Sequence, residues 1–190
     1  MVKDEKTSIW TLPNRLSLLR ILSIPVICFF ISLQENRFFL LSFFFFVLAG
    51  ITDGLDGFFA RRLKLRSRFG VYIDPIADKM LIVSCLVTLS YYKVVPLWLT
   101  VLLVLREFLI NGIRAFYAEE GITVYPTKSG KYKTAFQIIG ISLLLLNRSF
   151  ENPVISGSSY MEPGLVALII ALILSIYSAT KYLLGITKIA

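Results

Sequence analysis

Four aspartates fall within 26 residues of a chain that has only 12 acidic side chains: Asp53, Asp56, Asp74 and Asp78. All four lie in or beside apolar stretches. A carboxylate in such surroundings is costly and requires a partner or a function. On a helix, Asp53 and Asp56 are i, i+3 and share a face, displaced by about 4.5 Å along the axis. Asp74 and Asp78 are i, i+4 and also share a face. Four like charges gathered in one place are unstable alone, and a bridging divalent cation is the usual resolution. All-oxygen donors select a hard ion, Mg²⁺ or Mn²⁺, with Ca²⁺ as a further option. Four carboxylates suffice for two ions of the kind that clamp a displacement at phosphorus. Two other readings stand beside this one. The aspartates could form structural ion pairs with Arg61, Arg62 or Lys79, or they could line the ion path of a divalent-cation transporter.

Other chemistry is excluded by composition. The chain has no histidine, so histidine-activated nucleophiles, histidine metal ligands and phosphohistidine are ruled out. Acid–base work must fall to carboxylates, Lys, Tyr or Arg. The two cysteines, Cys28 and Cys85, lie inside apolar runs and read as small core residues rather than a disulfide.

The elements that position the aspartates are apolar helices. Of 190 residues, 56% are hydrophobic and 17% charged, where a soluble domain carries about 25% charged. Phenylalanine occurs 15 times, including the run Phe43 to Phe46, which offers water no polar face. Lipid is the natural solvent for such a chain. The pattern predicts an all-α integral membrane protein, one domain over residues 1–190, with six spanning helices. They are expected near Ser17–Leu33, Phe38–Ala60, Phe69–Tyr92, Pro96–Tyr117, Ser129–Leu146 and Gly164–Leu184. Residues 1–16 are expected to form a cytoplasmic or interfacial segment anchored by Trp10, without the features of a cleaved signal peptide.

Charge gives the orientation. The net charge is +8, but the cations cluster at the ends of apolar segments, which favours topology and anionic lipid over nucleic acid. The connections after the first, third and fifth helices carry only Arg37, Lys93 and Arg148, whereas the opposite side holds most of the remaining Lys and Arg. The positive-inside bias then places both termini in the cytoplasm, with the aspartates near the cytoplasmic surface. The short connection between the second and third helices makes them antiparallel neighbours, so the two aspartate pairs share one depth. Small residues surround them: Gly54, Gly57 and Ala60 on the second helix and Gly70 at the start of the third. Such residues allow helices, or a flat ligand, to approach the backbone.

Written out, the stretch is Asp53-x-x-Asp56-Gly57-x-x-Ala60-Arg61, eight residues, then Gly70-x-x-x-Asp74-x-x-x-Asp78. It resembles the signature of the CDP-alcohol phosphotransferase family at all eight fixed positions, and the six-helix pattern extends the resemblance over essentially the whole chain. The resemblance implies that fold and a CDP-linked donor whose diphosphate sits on the metals. An alcohol attacks the β-phosphorus and CMP leaves. By the same resemblance Asp53, Asp56 and Asp74 are metal ligands, Asp78 is general base with a role at the second metal, Gly57 and Ala60 line the cytidine pocket, and Arg61 contacts the diphosphate. A homodimer is also implied.

A second polar set bears on the alcohol. Arg106 and Glu107 interrupt the fourth apolar run, Arg114 follows, and the fifth helix opens Ser129-Gly130-Lys131-Tyr132-Lys133-Thr134. Cations of this kind suit an acceptor that carries its own phosphate; for the lysines a positive-inside rim is the other reading. Glu107, adjacent to Arg106 in sequence, is not a facing neighbour on a helix and is not expected to neutralise it. These segments, with Leu12 to Leu16, Arg20 and Asp74-Pro75-Ile76-Ala77-Asp78-Lys79, resemble the bacterial phosphatidylglycerophosphate synthase branch of the family. That branch implies CDP-diacylglycerol as donor, sn-glycerol 3-phosphate as acceptor and the bacterial inner membrane as location. The acceptor phosphate is then expected near Arg106, Arg114, Lys131 and Lys133, with Asn14 and Arg20 helping to hold the donor. Family members that use phosphatidylglycerol or an inositol phosphate remain the alternatives.

Overall fold

The computed structural model describes the backbone of residues 12–63, 68–119, 128–150 and 162–186, and the side chains of 15–52, 76–113, 115–117, 132–150 and 162–180. All the elements among them are α-helices: α1 (Leu12–Ser32), α2 (Asn36–Leu63), α3 (Arg68–Tyr91), α4 (Leu97–Glu119), α5 (Lys128–Phe150) and α6 (Pro163–Ile186). The chain divides into two compact units, Met1–Thr88 and Leu89–Ala190.

In the first unit α1 packs on α2. One stripe of α1 is buried: Ser17, Arg20, Ile24, Ile27 and Ile31. It faces a stripe of α2 made of Phe39, Ser42, Phe46 and Ala49. Ser42 resolves its hydroxyl by donating to Phe38 O at 2.9 Å and lies 3.5 Å from Ile27 O across the helix pair. The spacing of the α2 stripe alternates three and four residues, and positions 53, 56 and 60 continue it along the same helix. α3 buries Ala77, Leu81, Cys85 and Leu89, and position 74 precedes that series in register. Both cysteines are free, as the sequence suggests, with Cys85 buried.

Two helix ends are closed without glycine. Lys93 has φ 60° and Gln34 φ 55°, the left-handed conformation that terminates helices. After α3, Val94 N–H donates to Leu89 O at 2.9 Å and Lys93 N–H to Ser90 O at 3.0 Å, a Schellman pair. Val94 and Leu89 are both buried, so the cap is sealed by apolar contact.

In the second unit α6 packs on α5 and α4. Its core holds Leu99 and Leu103 from α4, Ile141, Leu144 and Leu145 from α5, and Leu168 and Ala171 from α6. Helices α5 and α6 cross backbone to backbone. A Cβ added to Gly164 would lie 2.7 Å from Gly140 O, and one added to Gly140 would lie 3.0 Å from Gly164 O. Only glycine permits that approach. Arg148 donates to Glu162 at 2.9 Å and joins the end of α5 to the start of α6.

Two expectations change. The segment expected to precede the first helix is partly within it: α1 starts at Leu12, with Pro13 in the first turn, where a missing N–H costs nothing. Residues 1–11, including Trp10, lie outside the described residues. The fifth helix runs to Phe150 rather than ending at Leu146, because Asn147 and Arg148 continue the helix and Arg148 finds its partner on the next one. Three polar side chains, Gln137, Ser175 and Ser178, are buried within α5 and α6.

Among the described residues, two helices are long and apolar enough, by length and composition, to cross a membrane: Arg15–Ser32 in α1 and Pro163–Thr180 in α6. Asn36–Thr52 of α2 is a shorter apolar run. The remaining helices carry charges within them, such as Asp78 and Lys79 in α3 and Arg106 and Glu107 in α4. The outward faces are nonetheless apolar. Leu19, Leu22, Phe29, Leu48, Leu97, Trp98, Leu105, Phe108 and Ile173 are all exposed. Helices apolar on both their packed and outward sides suit lipid rather than water.

Candidate active site

Of the four aspartates, Asp78 is the one whose side chain is described. Asp53 and Asp56 lie on the continuous helix α2, and Asp74 and Asp78 on the continuous helix α3, so the i, i+3 and i, i+4 spacings are those of real helices. The side chains of Asp53, Asp56 and Asp74 lie outside the described residues, as do those of Asn14, Gly57, Ala60, Arg61, Gly70, Arg114 and Lys131. No group of metal-binding side chains occurs among the described residues. The donor set itself, four carboxylates on two helices of one unit, fits a hard divalent cation and does not fit a soft one.

Asp78 is held from beneath. Its Oδ1 accepts from Arg20 Nη1 at 2.5 Å, and the two side chains are 36% and 1% exposed respectively. Arg20 also donates through Nε to Ala49 O at 3.1 Å. One guanidinium thus joins α1, α2 and α3. The same Ala49 carbonyl accepts from Thr52 Oγ1 at 2.8 Å. Arg20 occupies the buried stripe of α1, in line with Ile24 and Ile27, which explains how a cation comes to lie inside: its position is dictated by the helix face and its charge is met by Asp78. The sequence offers Arg20 as a donor contact; its side chain is 1% exposed and paired with Asp78.

The second polar set forms its own network in the other unit. Lys133 is buried and its ammonium bonds Glu107 Oε1. Arg106 Nε donates to Ser175 O on α6 at 3.0 Å, and its Nη1 lies 3.8 Å from Glu107 Oε1. The expectation that Glu107 does not reach Arg106 is therefore corrected. Successive Cβ atoms do diverge on a helix, but long side chains can bend back to meet within salt-bridge range. Glu107 stands between both cations. Sequence reasoning missed its partnership with Lys133, 26 positions away, because nothing local marks a contact between helices. Gln137, Ser175 and Ser178, all buried, were missed likewise.

The profile of the CDP-alcohol phosphatidyltransferase family matches residues 10–179. The chain is 36% identical over 155 residues to the CDP-diacylglycerol–glycerol-3-phosphate 3-phosphatidyltransferase of Bacillus subtilis (strain 168), covering 75% of this chain and 80% of that protein. It is 34% identical over 182 residues to the protein of the same name from Haemophilus influenzae, covering 92% of each. It is also 31% identical over 199 residues to CDP-diacylglycerol–glycerol-3-phosphate 3-phosphatidyltransferase 2 of Arabidopsis thaliana, covering 94% of this chain and 81% of that protein. The chain belongs to the CDP-alcohol phosphatidyltransferase family and is an enzyme of that class.

Proposed function

We propose that this enzyme transfers the phosphatidyl group of CDP-diacylglycerol to sn-glycerol 3-phosphate, giving phosphatidylglycerol phosphate and CMP. The observation that carries the substrate assignment is the 34% identity, over 92% of both chains, to a relative named for that donor and acceptor. The aspartate spacing on α2 and α3 supports the chemistry.

In this reading the six helices form one membrane domain over residues 1–190 in the bacterial inner membrane. Both termini and the site lie on the cytoplasmic side, and the protein is a homodimer. Asp53, Asp56, Asp74 and Asp78 hold Mg²⁺ or Mn²⁺, two ions in all, which when bound neutralise charge on the donor diphosphate. Gly57 and Ala60 leave room for the cytidine, Arg61 steadies the diphosphate, and Asn14 assists. Asp78 takes the proton of the acceptor hydroxyl as that oxygen forms its bond to the β-phosphorus, and the bond from that phosphorus to CMP breaks. Arg106, Arg114, Lys131 and Lys133 recognise the acceptor phosphate. Arg106 and Lys133 are shared with Glu107, which keeps both cations oriented and their charge balanced before the phosphate arrives.

Purified protein with CDP-diacylglycerol, Mg²⁺ and a panel of alcohols tests the assignment through CMP release. Release with sn-glycerol 3-phosphate is expected. Release only with phosphatidylglycerol or an inositol phosphate would replace the acceptor, and no release with any alcohol would remove the reaction.

A further inference from the structure

Arg20 makes two contacts that no local rule requires. Its Nη1 holds Asp78 Oδ1 on α3 at 2.5 Å and its Nε holds Ala49 O on α2 at 3.1 Å. Ala49 lies four residues before Asp53, and in an α-helix the carbonyl of residue 49 is the acceptor for the amide of residue 53. Thr52, the residue just before Asp53, donates its hydroxyl to the same carbonyl. A guanidinium is planar and its N–H groups have fixed mutual directions. One rigid plane therefore spans the backbone turn that carries the first aspartate pair and the carboxylate that ends the second. With the side chain 1% exposed, Arg20 acts through the residues it holds and not by touching a large ligand.

The geometry points to Arg20 as a positioning residue that sets the separation of the aspartate-bearing turns of α2 and α3, and so the spacing of the divalent-metal site. This rests on the reading of the four aspartates as metal ligands. It assigns to α1, which contributes none of them, control over the distance between the other two helices. Thr52 belongs to the same device, because its hydroxyl shares the Ala49 carbonyl and steadies the turn to which Arg20 is attached.

The test uses the full-length protein in detergent, as wild type, Arg20→Gln and Arg20→Lys, with each readout normalised to folded protein. Binding of Mn²⁺ alone is followed by the electron paramagnetic resonance signal of the free ion, and CMP release supplies kcat and the donor KM. In Arg20→Gln, Mn²⁺ affinity and kcat are each expected to fall about 10- to 100-fold, the range for groups that orient metal ligands, with little change in donor KM. Arg20→Lys keeps the charge but not the rigid fork and is expected to lie between Gln and wild type; it carries the comparison where the glutamine variant does not fold. Wild-type Mn²⁺ affinity in both variants would overturn the proposal. So would a raised donor KM at unchanged kcat and Mn²⁺ affinity, which is the pattern of a direct donor contact. Failure of the wild type to release CMP would instead remove the proposed reaction, while the Mn²⁺ measurement would still decide the role of Arg20.

Discussion

The ammonium of Lys133 and the carboxylate of Glu107 close an ion pair between α5 and α4, with the two side chains only 8% and 13% exposed. Removing one member leaves the other as a buried, uncompensated charge. Glu107→Gln is therefore expected to destabilise the protein by about 3–5 kcal/mol, whereas the apolar double replacement Glu107→Leu with Lys133→Met is expected to regain most of that loss. Thermal unfolding of the single and double variants checks the sign. If Lys133 also binds the acceptor phosphate, the stable double variant has a raised KM for sn-glycerol 3-phosphate at unchanged donor KM; an unchanged acceptor KM restricts the pair to structure.

Asp78→Asn keeps the shape of the side chain but cannot accept a proton. Turnover is expected to fall by about 10² to 10⁴, the contribution of a positioned general base, with donor binding largely retained. CMP release and equilibrium binding of CDP-diacylglycerol to the same preparation separate the two effects. Turnover like that of wild type would remove the base assignment.

Metal removal gives an independent check on the carboxylate cluster. Dialysis against a chelator is expected to abolish CMP release, and Mg²⁺ or Mn²⁺ to restore it, since all-oxygen sites prefer hard cations. Full activity in the chelated enzyme would exclude the metal reading.

The glycines make a paired prediction. Gly164→Ala places a Cβ 2.7 Å from Gly140 O, a backbone atom that cannot move aside without shifting a helix. A loss of about 1–3 kcal/mol is expected from such overpacking. Gly112→Ala, on α4, meets no described atom within 4 Å and should be neutral or stabilising by up to about 1 kcal/mol. Unfolding midpoints of the two variants should move in opposite directions, or the second not at all.

What the sequence made legible was periodic or local. The helices were found because apolar runs of sufficient length are bounded by polar turns, and the observed ends of most lie within a few residues of expectation. The aspartate spacing is a property of a single helix, so it could be read before any packing was known. The contacts that organise the site could not. Arg20 and Asp78 are 58 positions apart, and nothing in either segment specifies that they meet. Gln34 and Lys93 adopt a backbone usually given to glycine, so their exact role in ending helices carries little composition signal. The close crossing at Gly140 and Gly164 also depends on a partner helix: a lone glycine within an apolar run has the same local appearance wherever it sits.

The Arg20–Asp78 pair also has an order in time. A chain is made from its N-terminus, so the first helix leaves the ribosome carrying its arginine well before the third helix brings the aspartate that receives it, 58 positions later. During that interval α1 can pack on α2, but the charge of Arg20 lacks the carboxylate that meets it. A chain truncated before Asp78 should therefore be a substrate for quality control even though its first two helices are intact.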